Sequence, residues 1–332
     1  MRKISLQSKV KGIPRCNWCY HRCVIPEGKT GICHNNININ GELYSQVYGK
    51  AVSMAVDPIE KKPLYHFLPG TTAFSIATTG CNFRCKHCQN WEISQAKPGD
   101  LPTHDAMPED IVEMAVRTAS SSIAYTYNEP TVFFDYAHDT GILARKKGLK
   151  NIFVTNGYMT PEAVELAAKD FLDASNIDIK GDENFYRKVV GADYNNVLEN
   201  VKNQYKAGIF IEVTTLIIPG FNDNADFIRE IAAFLKSLSK DIPWHFSAFY
   251  PAYQMRDVPP TPRETILKMC EIAKDEGMHY VYAGNIWDSG YDNSYCPYCG
   301  ALLVRRKGYD VELLIHENKC PNCGRKLNFV LK

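Results

Sequence analysis

The stretch TAFSIATTGCNFRCKHCQNWEIS (72–94) sets a short apolar run directly against three cysteines, Cys81, Cys85 and Cys88. Residues 72–77 read as a strand that is apolar on both faces, as expected in a parallel sheet covered by helices. Similar runs follow at SIAYTY (122–127), NIFVT (151–155), ASNIDIK (174–180), IFIEVTTLI (209–217) and WHFSAFY (244–250), with HYVYAG (279–284) a weaker seventh. Helix starts lie between them. Pro108 precedes EDIVEMAVRTA, Thr160 and Pro161 precede EAVELAAKDFL, and Thr261 to Glu264 has the spacing of a capping box. The alternation predicts an α/β fold, a partial (β/α)6 TIM-like barrel, with a doubly wound sheet as the structural competitor. In either arrangement ligands gather at the carboxyl ends of strands, so the loops after residues 77, 127, 155, 180, 217 and 250 are the places for a site.

The cysteine loop is the first of these. Three soft sulfur ligands within eight residues select an iron-sulfur cluster, zinc or Cu(I) over hard cations, and a closed zinc site would need a fourth ligand. A cubane held by three thiolates leaves one iron open to a small molecule. His87 is a conceivable fourth ligand, with a solvent-facing loop residue as the competing reading.

The remaining cysteines divide the chain of 332 residues into an N-terminal four-cysteine metal-binding module (1–65), the barrel (66–289) and a C-terminal module (290–332). Cys296, Cys299, Cys320 and Cys323 sit in two CPxCG knuckles, the usual ends of a zinc ribbon, with a rubredoxin-like iron site as the alternative. Cys16, Cys19, Cys23 and Cys33 form a second group of four, read as zinc ahead of another iron-sulfur cluster. Cys270, in a helical pattern, reads as a buried core thiol.

Thirty-eight Lys and Arg against 37 Asp and Glu leave a net charge of +1, which argues against nucleic-acid binding. The N-terminal residues have no apolar run of signal-peptide type and no stretch has the length of a membrane span, so a cytoplasmic location and no membrane partner are expected. Grouped cysteines then point to metal ligation ahead of disulfides.

The pattern C-x3-C-x2-C after the first barrel strand resembles that of the radical S-adenosylmethionine (SAM) superfamily, which implies a [4Fe-4S] cluster at Cys81, Cys85 and Cys88 and SAM as co-substrate. Tyr127-Asn128-Glu129-Pro130 stands where that family has a GGE-type segment, so Asn128 and Glu129 are expected near the methionine ammonium. The segments TNG (155–157) and DIKG (178–181) are similar to those of glycyl-radical activating enzymes, which puts Thr155, Asn156, Asp178 and Lys180 around the same moiety. His245, on the sixth run, is a further candidate contact, against the plainer reading of a hydrogen-bonded core histidine. Asn285 is placed to close the cavity.

With CNWCYHRC, FVTNGY, LIIPGFND and FSAFYP added, the chain resembles the radical enzyme of the AmmeMemoRadiSam system, related to pyruvate formate-lyase activating enzymes. That resemblance implies Memo-type and AMMECR-type partners, a one-electron donor, and radical modification of a small-molecule or protein substrate. Activation of a glycyl-radical enzyme is the alternative within the same chemistry. A zinc-dependent binding or scaffold protein is the alternative of another class.

Overall fold

The computed structural model describes residues 1–286 and 289–332, so Trp287 and Asp288 of the segment after the last strand run lie outside the described residues. Its largest sheet has eight strands: β1 (Ser53–Pro58), β2 (Thr72–Ala77), β3 (Ser122–Tyr125), β4 (Lys150–Thr155), β5 (Ala174–Asp178), β6 (Phe210–Ile217), β7 (Trp244–Ala248) and β8 (Val281–Gly284). Strands β2 to β8 pair in sequence order and in parallel, and β1 closes the far edge antiparallel to β2. Strand order never reverses. That rules out a doubly wound sheet, which requires a switch point, and fits an open barrel. HYVYAG, the weaker seventh run, adds one more parallel strand after the sixth βα unit of the expected partial barrel.

Helices α1 (Pro108–Arg117), α2 (Phe134–Lys146), α3 (Pro161–Asp170), α4 (Tyr194–Lys206), α5 (Ala225–Leu238) and α6 (Arg263–Asp275) connect the parallel strands. Pro108 opens α1, and the Thr160 hydroxyl accepts the Ala163 N–H at 3.2 Å to cap α3, both as expected. The expected capping box at Thr261 does not form. Its hydroxyl instead donates to Ile217 O and accepts the Phe249 N–H, tying the ends of β6 and β7 together. Cys270 is fully buried on α6, as expected.

The N-terminal residues form two hairpins, Gln7–Val10 with Ile13–Cys16 and Asn36–Ile39 with Glu42–Ser45. Their apolar residues Ile4, Trp18, Ile25 and Leu43 belong to the same core as the barrel. The expected module boundary at residue 65 lies beyond β1, which already belongs to the main sheet. Residues 294–313 form a three-stranded antiparallel sheet of their own.

Candidate active site

The loop after β2 carries the three cysteines, and its shape is set by side chains from two other segments. Asn128 donates from Nδ2 to Gly80 O at 2.8 Å and to Thr79 O and Thr78 Oγ1 at 3.3 Å, while its Oδ1 accepts the Thr78 N–H. These partners use both amide hydrogens. Asn128 therefore fixes the loop that carries the cysteines. From the N-terminal region, Asn35 donates to Thr79 O at 2.8 Å, His21 Nε2 bonds Asn82 O at 2.8 Å, and Arg84 returns to Ile32 O at 2.6 Å.

Gly80 shows how close this docking is. Its φ is +86°, and a Cβ there would stand 2.6 Å from Cys33 O and 2.7 Å from Asn35 Oδ1. Gly80→Ala should therefore lose about 1–3 kcal/mol of stability to backbone strain and forced separation, read as a lower urea midpoint.

Cys85 is buried and Cys81 and Cys88 are partly exposed. Burial pushes the Cys85 thiol up to about 12, with Lys180 opposing, and burial followed by the charge of Glu129 raises Cys81 as well. Such thiols are weak free nucleophiles and become thiolates on binding metal. Cys81 Sγ accepts the Phe83 N–H at 3.4 Å and faces Asn156 Nδ2 at 3.8 Å; Cys88 Sγ meets Ser94 Oγ at 3.2 Å. Amide donors aimed at sulfur are a feature of iron-sulfur ligation.

Sulfur spacing separates the cysteine groups. Among the described residues, Cys296, Cys299, Cys320 and Cys323 are the one set of three or more Cys, His, Asp or Glu ligand atoms lying within 4.8 Å of one another. Their Sγ contacts of 3.6 and 3.7 Å match thiolates on one tetrahedral ion, which at a Zn–S bond of 2.3 Å stand about 3.8 Å apart. Both knuckles repeat one turn, with Gly300 N–H bonding Cys296 O and Gly324 N–H bonding Cys320 O. The sulfurs of the central trio do not all lie within that 4.8 Å, so they are not drawn together as thiolates on one tetrahedral ion are. The spread fits a cubane, whose irons occupy separate corners.

Around the trio, Glu129 is fully buried and accepts from Thr131 N and Oγ1, from Thr155 Oγ1 at 2.8 Å and from Asn156 N at 2.7 Å. Burial raises it above the ordinary carboxylate range against the pull of those bonds. Three of the four donors go to Oε1, which leaves acceptor capacity on Oε2. Asp178 holds Lys180 Nζ at 2.6 Å. Burial works against the Lys180 charge, yet Asp178 and Cys85 keep its ammonium above the usual range. Thr155, Asn156, Glu129, Asp178 and Lys180 thus gather at the carboxyl ends of adjacent strands, as expected.

His245 does not join them. It lies near the start of β7, where Nε2 meets Glu212 at 2.7 Å and the ring stacks on Tyr282, so it is a core histidine at the opposite end of the sheet. Asn285, with φ +59°, donates to Ala248 O at the carboxyl end of β7.

Two further polar residues complete the site, Asn82, which the sequence does not single out, and His87. Asn82 pairs with Asn156 through Oδ1 at 2.7 Å while its buried Nδ2 and Asn156 Oδ1 have no protein partner. His87, expected at a solvent-facing position if not a ligand, is buried with Nδ1 also unpartnered; burial, then Lys180, drives it down to about 3, so the ring is neutral. These unsatisfied groups beside the thiols are positions where a polar ligand would find partners. The motif CNFRCKHC gives no sign of the role of Asn82.

Comparison with known proteins agrees with this geometry. A family model described as the Radical SAM superfamily matches residues 75–235. A Methanocaldococcus jannaschii protein of uncharacterised function is 46% identical over 321 residues, 96% of either chain. The benzylsuccinate synthase activating enzyme of Thauera aromatica is 22% identical over 297 residues, covering 83% of this chain and 86% of that one. The crystal structure of Streptococcus suis SuiB shares the fold at a TM-score of 0.51 and 13% identity, over 70% of this chain and 52% of that one. A parallel open barrel with its cysteine loop after the first parallel strand, read beside these matches, makes the chain a radical SAM enzyme and a member of that superfamily.

Proposed function

We propose that Cys81, Cys85 and Cys88 hold the [4Fe-4S] cluster that the superfamily implies, and that the neighbouring residues seat SAM against it. The observation that carries this reading is the trio's spread at a strand end beside unsatisfied polar groups. When bound, the cluster supplies one electron that breaks the S–C5′ bond of SAM, giving methionine and a 5′-deoxyadenosyl radical.

The chain's own residues provide binding and orientation. Glu129 Oε2 accepts the methionine ammonium, which supplies the counter-charge its buried carboxyl lacks. Lys180, held by Asp178 and keeping N–H donors to spare, meets the methionine carboxylate. Asn82 and Asn156 offer an amide donor and an acceptor to the same ligand. Asn128, Thr155 and Gly80 position this set without touching it. No side chain is needed as a general base.

The substrate belongs, on this proposal, to the AmmeMemoRadiSam system, with Memo-type and AMMECR-type proteins as partners and a one-electron donor protein as reductant. The likeness to an activating enzyme for benzylsuccinate synthase favours a second reading, activation of a glycyl-radical enzyme. On this reading the chain comprises an N-terminal four-cysteine region packed on the barrel, the barrel itself and a C-terminal module closed around zinc. The proposal places the chain in the cytoplasm. Among the described residues no helix is long and apolar enough to cross a membrane.

Anaerobic reconstitution with iron and sulfide, followed by reduction in the presence of SAM, should release 5′-deoxyadenosine and methionine, read by chromatography. Fully reconstituted protein that fails to bind SAM would overturn the reading. A glycyl-radical electron paramagnetic resonance signal on a partner would favour the second one.

A further inference from the structure

The N-terminal cysteines are spaced neither like the C-terminal quartet nor like an isolated pair. Cys16 ends its strand and is buried, and Cys23 is tied to it by the bond from Cys16 N–H to Cys23 O at 3.0 Å. Cys16, Cys19, Cys23 and Cys33 line one cavity, walled on its inner side by Trp18 and Ile25. Four sulfurs therefore face a common interior. Among the described residues, however, no three of them lie within 4.8 Å of one another, in contrast to the compact quartet of the same chain.

A single tetrahedral ion draws its thiolates to about 3.8 Å, as the C-terminal sulfurs show, so zinc would require this shell to contract. The shell is built against contraction. Trp18 and Ile25 are fully packed into the main core, Asn36 holds Cys16 Sγ at 3.4 Å, and Cys33 O is pressed against Gly80. A cubane needs four thiolates set further apart around an apolar interior, with amide donors to sulfur.

We propose that Cys16, Cys19, Cys23 and Cys33 hold a second [4Fe-4S] cluster, ligated at all four corners by thiolate. The role of that cluster rests on the function proposed above. With no open iron it offers SAM no coordination site, which leaves electron transfer as its chemistry. Its position suits that task. Asn82, Thr131 and Val132 line the same cavity, Asn82 is bonded along the chain to Cys81, and His21 holds the Asn82 carbonyl. On the outer side the cavity is lined by Ile32, which is 44% exposed. One electron from an external donor protein would reduce this cluster and then pass to the catalytic one, leaving the N-terminal cluster as it began.

Metal analysis of the full chain, reconstituted anaerobically, tests the assignment. Two cubanes bring about eight irons per chain beside one zinc. About four irons and two zincs would overturn it. Replacing Cys81, Cys85 and Cys88 by alanine should leave about four irons, with a reduced-state electron paramagnetic resonance signal that SAM does not alter. An iron-free folded variant with its zinc retained would also overturn it. Should that variant fail to fold, the wild-type iron-to-zinc ratio decides alone. The failures are distinguishable: loss of SAM binding by wild-type protein removes the catalytic reading, whereas residual iron in the variant concerns only the N-terminal cysteines.

Discussion

Alanine at Cys81, Cys85 and Cys88 together should reduce 5′-deoxyadenosine release to that of protein-free controls. The loss is total because the three side chains supply all the sulfur in the loop after β2, and none of the surrounding groups replaces it. Lys180 is cationic, His87 is neutral but buried against Phe185, and Glu129 is already engaged by four donors. The fold should survive. The loop is held through main-chain carbonyls by Asn35, Asn128 and His21, not through the sulfurs. Circular dichroism like that of the wild type, unchanged zinc content and absent 5′-deoxyadenosine make up the expected result. Release at the wild-type rate would place the chemistry elsewhere in the chain.

The strands that carry this loop were legible because they are apolar on both faces. TAFSIA forms Thr72–Ala77 to the residue, and IFIEVTTLI and NIFVT differ by a position at the start. Strand β1 was not legible. SMAVDP lies at the sheet edge, its residues are mostly half-buried, and neither alternation nor a β-branched run marks it. The N-terminal hairpins did leave a signal: Asn40-Gly41, with φ +53° and +75°, is the sequence of a tight I′ turn between NINI and ELYS.

For the site, spacing disclosed the metal ligands, since ligands of one centre sit close in sequence. Positioning residues are found by no such rule. Asn35 reaches Thr79 across 44 positions and Asn156 reaches Asn82 across 74, so neither pairing has a local pattern. His245 shows the converse. A histidine in an apolar strand carries the same sequence signal whether it faces ligand or core, and its carboxylate partner Glu212 lies 33 residues away.

Glu212→Ala should cost about 3–5 kcal/mol of stability, because a buried donor left without its acceptor costs about 1–3 kcal/mol and several are stranded at once. Glu212 is fully buried and accepts the backbone N–H groups of Tyr65, His66 and Phe67 as well as His245 Nε2. One carboxylate thereby joins the segment before β2 to strands β6 and β7. His66 extends the network. Its Nδ1 bonds Asn328 O at 2.6 Å, so that nitrogen carries the proton, and Nε2 accepts from Tyr282, whose hydroxyl meets Ser294 of the C-terminal module. Burial drives His66 down to about 3, in keeping with a neutral ring. Removing Glu212 leaves buried N–H groups without an acceptor and detaches the C-terminal module's support at the same point. Burial alone would raise Glu212, but His245 and the neighbouring donors hold it below the ordinary carboxylate range. A carboxyl depressed on folding contributes stability above its unfolded value and loses that contribution as pH falls through the folded one. The gap between wild type and Glu212→Ala in urea midpoint should accordingly be full at neutral pH and narrow below the carboxylate range. A loss under about 1 kcal/mol at pH 7, the size of one ordinary hydrogen bond, would show that water reaches these donors and that Glu212 is not their anchor.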